Sequence, residues 1–243
     1  MAVEPAANVF LYEEKSLEND VVALELFDPA KHSVPFVKLV QDHPESFQYL
    51  AFPLLDHVDD FLTKIYNPIA TSDADLLWAI IDKTCPAGDS GTDNMAGVLS
   101  LNDTRKELAY TEMGAVVFPA FQRSHVTSNA IGLCLQWLLD PPSKGGLGLR
   151  RVMWQANAKN SASRRVAERM GFTLEGILRW HRTFAPNRDC QKAPGVPTAA
   201  LAARNGTDPK DEAPGRHTAI FSIVWDEWDA KRAVVEAQMA RRK

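Results

Sequence analysis

The sequence predicts a mixed fold of the α/β (α+β) type, in which helices flank a mostly antiparallel central sheet. Three observations lead to this prediction. Short apolar runs bounded by turn residues predict strands along the chain, and helical patterns interrupt them at uneven intervals. Three such runs follow one another between residues 75 and 118 with only turns between them, as in an antiparallel meander. A long polar segment, 185–216, precedes the last strand-like run.

The first half of the chain contains a helix-prone zone and the meander. The run 21–29 begins with β-branched residues and ends at Asp-Pro, which predicts a first strand. A polar zone follows at 42–65. Within it Asp56 is a candidate N-cap, because acidic residues and apolar residues at helical spacing follow it. The meander strands are expected at 75–83, 94–103 and 106–118.

The second half contains two helices before the final strands. Apolar residues recur at helical spacing over 126–139 and stop before Pro141-Pro142. The segment 160–170 has similar spacing, and Gly171 follows it at a position where glycine commonly ends a helix. Strand-like runs lie at 149–157, 179–184 and 217–225, and a terminal helix is expected from 227 onward.

The segment 185–216 contains five prolines and few large apolar side chains. Such a composition buries too little apolar surface to form packed structure. We therefore expect one domain over residues 1–243, with 185–216 as a flexible loop inserted into it.

The composition is that of a soluble globular protein, with 45% hydrophobic residues, 24% charged residues and a net charge of -4. A mildly acidic chain has no overall attraction for nucleic acid. No segment matches a transmembrane helix or a signal peptide, so we expect a cytoplasmic protein that binds neither membrane nor nucleic acid. The three cysteines are widely spaced, without histidines at metal spacing, which predicts free thiols and no metal site.

Three motifs and their order along the chain carry a family resemblance, and the last of them is IFSIVWDEW, 220–228, a strand-like run that leads into the terminal helix. The stretch 157–172, NAKNSASRRVAERMGF, has an Asn, a Ser three residues later, an arginine-rich helix and Gly-Phe, and a Glu-Gly pair and Arg179 follow. The strand-like TEMGAVVF, 111–118, leads through a proline and a loop into a helix. Together they resemble the GCN5-related N-acetyltransferase (GNAT) superfamily, in particular ribosomal-protein N-terminal acetyltransferases, over roughly residues 20–240 except 185–216.

The resemblance implies that the loop before the helix at 126–139 binds the pyrophosphate of acetyl-CoA, because a helix N-terminus presents free N–H groups to an anion. Helix capping by one of its hydroxyl side chains is the alternative. The implied acetyl-CoA contacts from this strand and loop are Val116, Val117, Gln122, Arg123, Ser124, His125, Val126, Thr127 and Ser128.

His125 stands where the family usually has the first glycine of this loop. Glycine lets the backbone approach a phosphate closely. His125 therefore has to tolerate that geometry or add an imidazole contact, and the affinity for CoA is the property in question.

By the resemblance, Glu112 occupies the position of a glutamate that deprotonates the acceptor amine through water. A carboxylate in a half-buried strand is unusual, although an outward-facing strand glutamate explains it equally well without the resemblance. Asn160 is implied as a hydrogen-bond partner of the pantetheine arm and Ser163 as a neighbour of the sulfur. Helix capping and packing are their alternative roles. Because Ala167 replaces the tyrosine that many members use as general acid, Ser163 or water has to protonate the thiolate.

Trp180 and His181 are candidates for lining the acceptor pocket, although a Trp on such a strand is more often a core residue. The sequence thus predicts an acetyl-CoA-dependent N-acetyltransferase that acts by direct attack of a primary amine of a small molecule, peptide or protein. A catalytically idle acyl-CoA-binding module is one alternative, and an interaction protein acting through 185–216 is another. Monomer and homodimer both stay open.

Overall fold

The structure is a computed structural model that describes residues 9–50, 55–88, 93–184 and 215–241. Its eight strands are β1 (Leu17–Glu18), β2 (Val22–Leu26), β3 (Leu76–Asp82), β4 (Met95–Arg105), β5 (Tyr110–Val117), β6 (Arg151–Asn157), β7 (Thr173–Thr183) and β8 (Gly215–Val224). They form one sheet in the order β1-β2-β3-β4-β5-β6-β8-β7. Only β5 and β6 run parallel, and the other neighbouring pairs are antiparallel. The predicted mostly antiparallel sheet is confirmed.

The helices flank this sheet, as predicted. They are α1 (Pro29–Asp42), α2 (Val58–Phe61), α3 (Asn67–Ala70), α4 (His125–Leu139), α5 (Ser161–Arg169) and α6 (Trp228–Met239). A π-helical turn (Leu62–Tyr66) joins α2 to α3, and short 3₁₀ turns lie at Pro44–Phe47, Pro119–Phe121, Pro142–Lys144 and Trp225–Glu227. Within the described ranges, no helix combines the length and apolar character that crossing a membrane requires.

Two hydrophobic cores cover opposite faces of the sheet. Strand β3 lies between them and is buried at every position. Alternation along this strand places Trp78 and Ile80 in the core under α4, α5 and α6, and Leu77 and Ile81 in the core under α1, α2 and α3. The two faces of the sheet are therefore distinct environments.

A bulge in β4 adjusts the approach of β5. Ile80 pairs with Gly97 and Ile81 pairs with Met95, so one extra residue lies in β4 at this point. A Cβ atom at Gly97 would lie 2.0 Å from the carbonyl oxygen of Val116. Only glycine therefore permits this distance between β4 and the end of β5.

The parallel strands β5 and β6 separate along their length. They pair only where residues 110–113 of β5 face residues 151–154 of β6. Beyond that point, β5 keeps β4 as its partner and β6 keeps β8 as its partner. A gap therefore opens through the sheet, and the backbone edges that face each other across it have no strand partner.

Helix α1 is absent from the sequence prediction. Asp28 caps it with a side-chain hydrogen bond to the amide of Ala30, and Phe36 and Val37 are buried. Pro35 lies inside the helix, where proline removes one hydrogen bond and usually predicts a break. Burial of the apolar face offsets that loss.

The predicted zone 42–65 is only partly helical. Its regular part begins at Val58 and continues to Ala70 through the π-helical turn. The prediction of Asp56 as N-cap is wrong: His57 holds that position and makes no side-chain capping bond.

The final hairpin also differs from the prediction. Strand β7 begins at Thr173, well before residue 179, and a register shift between Leu174 and Gly176 interrupts its pairing. Strand β8 begins at Gly215, so 215–216 belong to the sheet and not to the predicted loop 185–216. The other residues of that predicted loop, 185–214, lie outside the described residues.

Candidate active site

The gap between β5 and β6 ends at two helix N-termini. Because parallel strands end at the same edge of a sheet, the loop after β5 and the loop after β6 lie on the same side. The first loop leads into α4 and the second into α5. The site therefore comprises the gap, these two loops and the side chains along both strands.

Glu112 lies on β5 just before the strands separate, and its side chain is half-buried. Burial raises the pKa of this carboxyl group to about 7, and the positive charges of Arg182 and Arg216 oppose the rise. Glu112 is thus close to half-ionised at neutral pH, the state expected of a general base.

Gln155 positions that carboxylate. Its Nε2 donates a hydrogen bond of 2.7 Å to Oε2 of Glu112 across the gap. Glu112 and Gln155 are 43 positions apart in sequence, and only the parallel pairing of β5 and β6 brings them together. Gln155 is absent from the sequence prediction because a single glutamine on a strand carries no signal of such a contact.

The loop before α4 is stabilised by its own side chains. Oγ of Ser124 accepts a hydrogen bond from the amide of Val126 and donates one of 2.6 Å to the carbonyl of Phe121. Gln122 donates to the carbonyl of Val117 at 2.8 Å. Ser124 therefore caps α4, as the alternative interpretation expected, and the other amides of the first helical turn have no intrahelical acceptor.

The substitution of His125 for glycine has a structural explanation. The left-handed backbone conformation in this loop falls on Arg123, with φ of 60°, whereas His125 begins α4 as a helical residue. Its imidazole Nε2 lies 3.2 Å from Oδ1 of Asp82 at the end of β3. Position 125 therefore does not need the freedom of glycine, and its ring is held by Asp82.

Val116 and Val117 form the edge of the gap at the end of β5. They are partly buried and belong to opposite faces, Val116 packing with the α1–α3 core and Val117 with the α4–α6 core. Thr127 and Ser128 lie in the first turn of α4. The structure therefore places the predicted strand and loop residues along one continuous border.

Asn160 and Ser163 lie at the beginning of α5. Asn160 Oδ1 accepts a hydrogen bond of 3.0 Å from the amide of Ser163, so its capping role is observed. Ser163 Oγ accepts a hydrogen bond of 3.0 Å from the indole Nε1 of Trp154 on β6. Because the indole is only a donor, the hydroxyl proton of Ser163 is directed to another acceptor.

Glu112 and Ser163 lie on opposite faces of the sheet. Ser163 contacts Trp154, which belongs to the α4–α6 core. Met113, the next residue on β5, also belongs to that core. Because neighbouring residues on a strand point to opposite faces, the side chain of Glu112 points to the other face of the sheet. The gap between β5 and β6 connects the two faces, and the two predicted catalytic residues flank it.

Trp180 and His181 lie on β7 and are exposed. The alternative interpretation of Trp180 as a core residue is wrong, since 47% of its surface is exposed. Its backbone amide donates to Nδ1 of His217 at 2.9 Å. Burial lowers the pKa of His181, and the charges of Arg182 and Arg216 lower it further. His181 therefore lies near the arginines that act on Glu112.

Glu175, part of the sequence motif, has a structural role here. Its carboxylate forms a bidentate ion pair with Arg151 on β6 and accepts a hydrogen bond from Ser222 on β8. The contact joins the irregular part of β7 to its neighbours.

A concavity of about 440 Å³ lies beside the start of α4, on the side of β2 and β3. Asn19 and Asn129 line it and bond each other, Nδ2 to Oδ1, at 2.7 Å. No residue of β5 or β6 lines it, so it is separate from the gap.

The described thiols are Cys85, which is exposed, and Cys134, which is buried. Within the part of the chain that the structure describes, no group of three or more His, Cys, Asp or Glu side chains forms a candidate metal site. Cys190 lies outside the described residues.

The separating parallel strands, the carboxylate on their border and the helix N-terminus at their end define an acetyltransferase fold. Residues 24–173 match the family model described as acetyltransferase (GNAT) domain. The chain belongs to the GNAT family of N-acetyltransferases, which confirms the resemblance seen in the sequence.

Solved structures share this fold. A GCN5-related N-acetyltransferase from Brucella melitensis is 27% identical with a TM-score of 0.70, over 94% of this chain and 87% of that chain. The ribosomal L7/L12 alpha-N-protein acetyltransferase RimL, in complex with coenzyme A, is 16% identical with a TM-score of 0.61, over 87% and 99% of the two chains.

The microcin C7 self immunity acetyltransferase MccE, in complex with acetyl-CoA and AMP, is 20% identical with a TM-score of 0.60, over 85% of this chain and 93% of that chain. A search of curated protein sequences gave no match.

Proposed function

We propose that this cytoplasmic enzyme transfers the acetyl group of acetyl-CoA to a primary amine of a small molecule, peptide or protein by direct attack. The observation that carries the proposal is Glu112, a half-buried carboxylate with a pKa near 7 at the opening of the gap. We place this activity in one domain over residues 1–243.

The chain offers suitable groups for acetyl-CoA. Backbone edges of 114–117 and 155–157 face the gap without a strand partner, which suits the amides of a pantetheine arm. The first turn of α4 presents N–H groups to an anion, and the exposed Arg123 adds positive charge. The complex of MccE with acetyl-CoA supports the same cosubstrate here.

Residues 116, 117 and 122–128 with Asn160 would hold acetyl-CoA. When bound, acetyl-CoA supplies a thioester carbonyl that an amine attacks and a thiolate that leaves.

Glu112 accepts the proton that the amine loses, through a water molecule. The hydrogen bond from Gln155 engages Oε2 of the carboxylate, so Oε1 is the oxygen that takes the proton. Arg182 and Arg216 keep the pKa of Glu112 from rising further, so a useful fraction is ionised at neutral pH.

Ser163 supplies a proton on the opposite face. Its Oγ already accepts the Trp154 indole hydrogen, so its own hydrogen is available to the departing thiolate. The balance is complete: the N–C bond forms, the C–S bond breaks, Glu112 gains the amine proton and the sulfur gains one from Ser163. Solvent then takes the proton from Glu112 and returns one to the oxygen of Ser163.

The idle acyl-CoA-binding module is the rival proposal. Ala167 in place of the usual tyrosine and His125 in place of the usual glycine favour this module, but the helical backbone of His125 removes the second of these reasons. A binding module would be stabilised by CoA and would release no thiol from acetyl-CoA with any amine.

An amine-panel assay with acetyl-CoA tests the proposal by measuring free thiol. We expect thiol release that depends on the amine and is strongly reduced in Glu112→Gln. Glu107→Gln is the matched control, because Glu107 is exposed in the turn between β4 and β5, at the end of β5 opposite to the gap. Stabilisation by CoA without thiol release from any amine would favour the binding module.

A further inference from the structure

The face of the sheet that carries Glu112 extends beyond the α1–α3 core. Alternation along β6 and β8 places Gln155 and Asn157, with their register partners Ile220 and Thr218, on this face. Arg216 lies two residues before Thr218 on β8 and shares its face. A row of polar side chains therefore runs from Glu112 across β6 to the start of β8.

Arg216 is an unusual member of this row. Only 6% of its surface is exposed. Its Nε donates to Thr218 Oγ1 at 3.2 Å and its Nη1 donates to the carbonyl of Tyr49 at 2.9 Å, so both partners are neutral. Its Nη2 has no hydrogen-bond partner within the described ranges.

A second arginine lies beside it. Arg182 on β7 is the register partner of Arg216, and its charge lowers the pKa of Arg216 in addition to the effect of burial. Among the described residues, no carboxylate forms an ion pair with either arginine. Two neighbouring guanidinium groups, one of them desolvated, are costly to maintain without an anion.

The arginines and Glu112 share one region. Both positive charges act on the pKa of Glu112 and on that of His181. Between them, Asn157 is 2% exposed and its Nδ2 has no hydrogen-bond partner, and Oε1 of Gln155 is likewise buried and unpaired. A ligand extending from Glu112 to the arginines would satisfy these groups.

We propose that the acceptor substrate carries an anionic group, a carboxylate or a phosphate, in addition to its amine, and that Arg216 and Arg182 bind this group while the amine lies at Glu112. The inference rests on the proposed function and specifies its substrate class. Guanidinium groups suit both anions because their parallel N–H groups match two oxygens. The Asn157 amide contacts the segment between amine and anion.

Matched acceptor pairs test this substrate class. Glycylglycine is compared with its amide, and O-phosphoethanolamine with ethanolamine, by thiol release from acetyl-CoA. In at least one pair, we expect kcat/KM to be about ten- to hundredfold higher for the anionic member than for the neutral one. This factor corresponds to the contribution of a charge-assisted hydrogen bond. The favoured pair distinguishes carboxylate from phosphate, and equal rates within both pairs would overturn the proposal.

Variants locate the anion. Arg182→Gln is at an exposed position and should raise KM about tenfold more for the favoured anionic acceptor than for its neutral partner. Because the charge of Arg182 also lowers the pKa of Glu112, kcat should fall by the same factor for both acceptors. Arg182→Lys should recover part of the loss. Arg169→Gln is the matched control, because Arg169 is an exposed arginine on α5, which packs on the opposite face of the sheet.

A binding measurement separates this inference from the proposed function. Calorimetric titration of the same amines into the CoA-bound protein reports anion recognition without turnover. If no amine releases thiol, the proposed acetyl transfer fails, and the titration still decides the anion site. If the anionic amine binds Arg182→Gln more weakly than wild type, the proposed anion site is supported. Equal binding to the two proteins overturns it.

Discussion

Glu112, the proposed general base, combines a property that favours catalysis with a cost in stability. Burial raises its pKa to about 7, while two arginines limit the rise. A base with this pKa accepts protons efficiently near neutral pH. Its ionised form is a partly desolvated charge, which lowers the stability of the folded chain. Activity and stability should therefore respond oppositely to its removal.

The activity of Glu112→Gln should show a loss of general-base catalysis. The amide keeps the size of the side chain but removes its basicity, so kcat should fall about 10²- to 10⁴-fold with little change in affinity for acetyl-CoA. In the wild type, kcat/KM should rise with pH through about 7. The deficit of the variant should shrink as pH approaches the pKa of the amine.

If the kcat of Glu112→Gln lies within about twofold of the wild-type value at neutral pH, the loss is far smaller than the usual contribution of a general base. Proton removal would then be assigned elsewhere, and His181 is the next candidate. Glu107→Gln, measured in parallel, controls for the loss of one glutamate.

Stability should respond to the same change in the opposite direction. Between the ordinary pKa of 4.5 and the native value of about 7, the folded chain holds a proton that the unfolded chain has released. Stability therefore falls as pH rises through this window. Since glutamine is neutral throughout, Glu112→Gln should gain on the order of 1–3 kcal/mol over wild type between pH 5 and pH 8.

Denaturant unfolding of both proteins at these two pH values measures the gain. A difference in unfolding free energy that is independent of pH would show that Glu112 has similar pKa values in the folded and unfolded chains.

At the scale of elements, the bulge in β4 determines where β5 ends its approach. Gly97→Ala would place a Cβ atom 2.0 Å from the Val116 carbonyl, so the two strands must separate locally. We expect a loss of stability of about 1–3 kcal/mol, the usual cost of overpacking, and weaker CoA binding because Val116 borders the gap.

Thermal unfolding with and without CoA measures both effects. Gly176→Ala is the matched control, because no atom lies within 4 Å of a Cβ atom built there. Equal effects of the two substitutions would show that the bulge does not control the gap.

The elements that the sequence predicts well are those whose burial is simple. β3 is buried on both faces and reads as one apolar run, and α4 has a continuous apolar stripe. β7 is exposed at almost every position, so it has no alternation to detect. α1 contains a proline, and proline ordinarily argues against a helix.

The site was predictable only where family motifs supplied the positions. Glu112, Asn160 and Ser163 stand in recognisable motifs, whereas Gln155 is identified by its contact with Glu112 across the sheet. Arg216 follows a Pro-Gly pair that reads as a loop, although it lies in β8. Contacts that depend on strand register between distant segments carry no local signal.

At the scale of the whole molecule, one sheet joins all the described elements, so we expect residues 1–243 to unfold in one transition. CoA should raise the melting temperature because it binds only the folded state. Pantetheine lacks the pyrophosphate and should give a much smaller shift at equal concentration, since it makes no contact with the start of α4.

Differential scanning fluorimetry compares the two ligands. Arg123→Gln should reduce the shift produced by CoA and leave that of pantetheine unchanged, because Arg123 is an exposed charge in the loop before α4. Equal stabilisation by CoA and pantetheine would remove this loop from the cosubstrate site.

The gap through the sheet also constrains the order of events in a catalytic cycle. Glu112 lies on one face and Ser163 on the other. If they act as proposed, we expect the two reactants to enter from opposite faces and both to be bound when the acetyl group moves. Initial-rate plots at several fixed amine concentrations should therefore intersect instead of running parallel, as a ternary complex requires. Incubation with acetyl-CoA alone should leave the protein mass unchanged, whereas an added acetyl group would indicate a ping-pong cycle through a covalent intermediate.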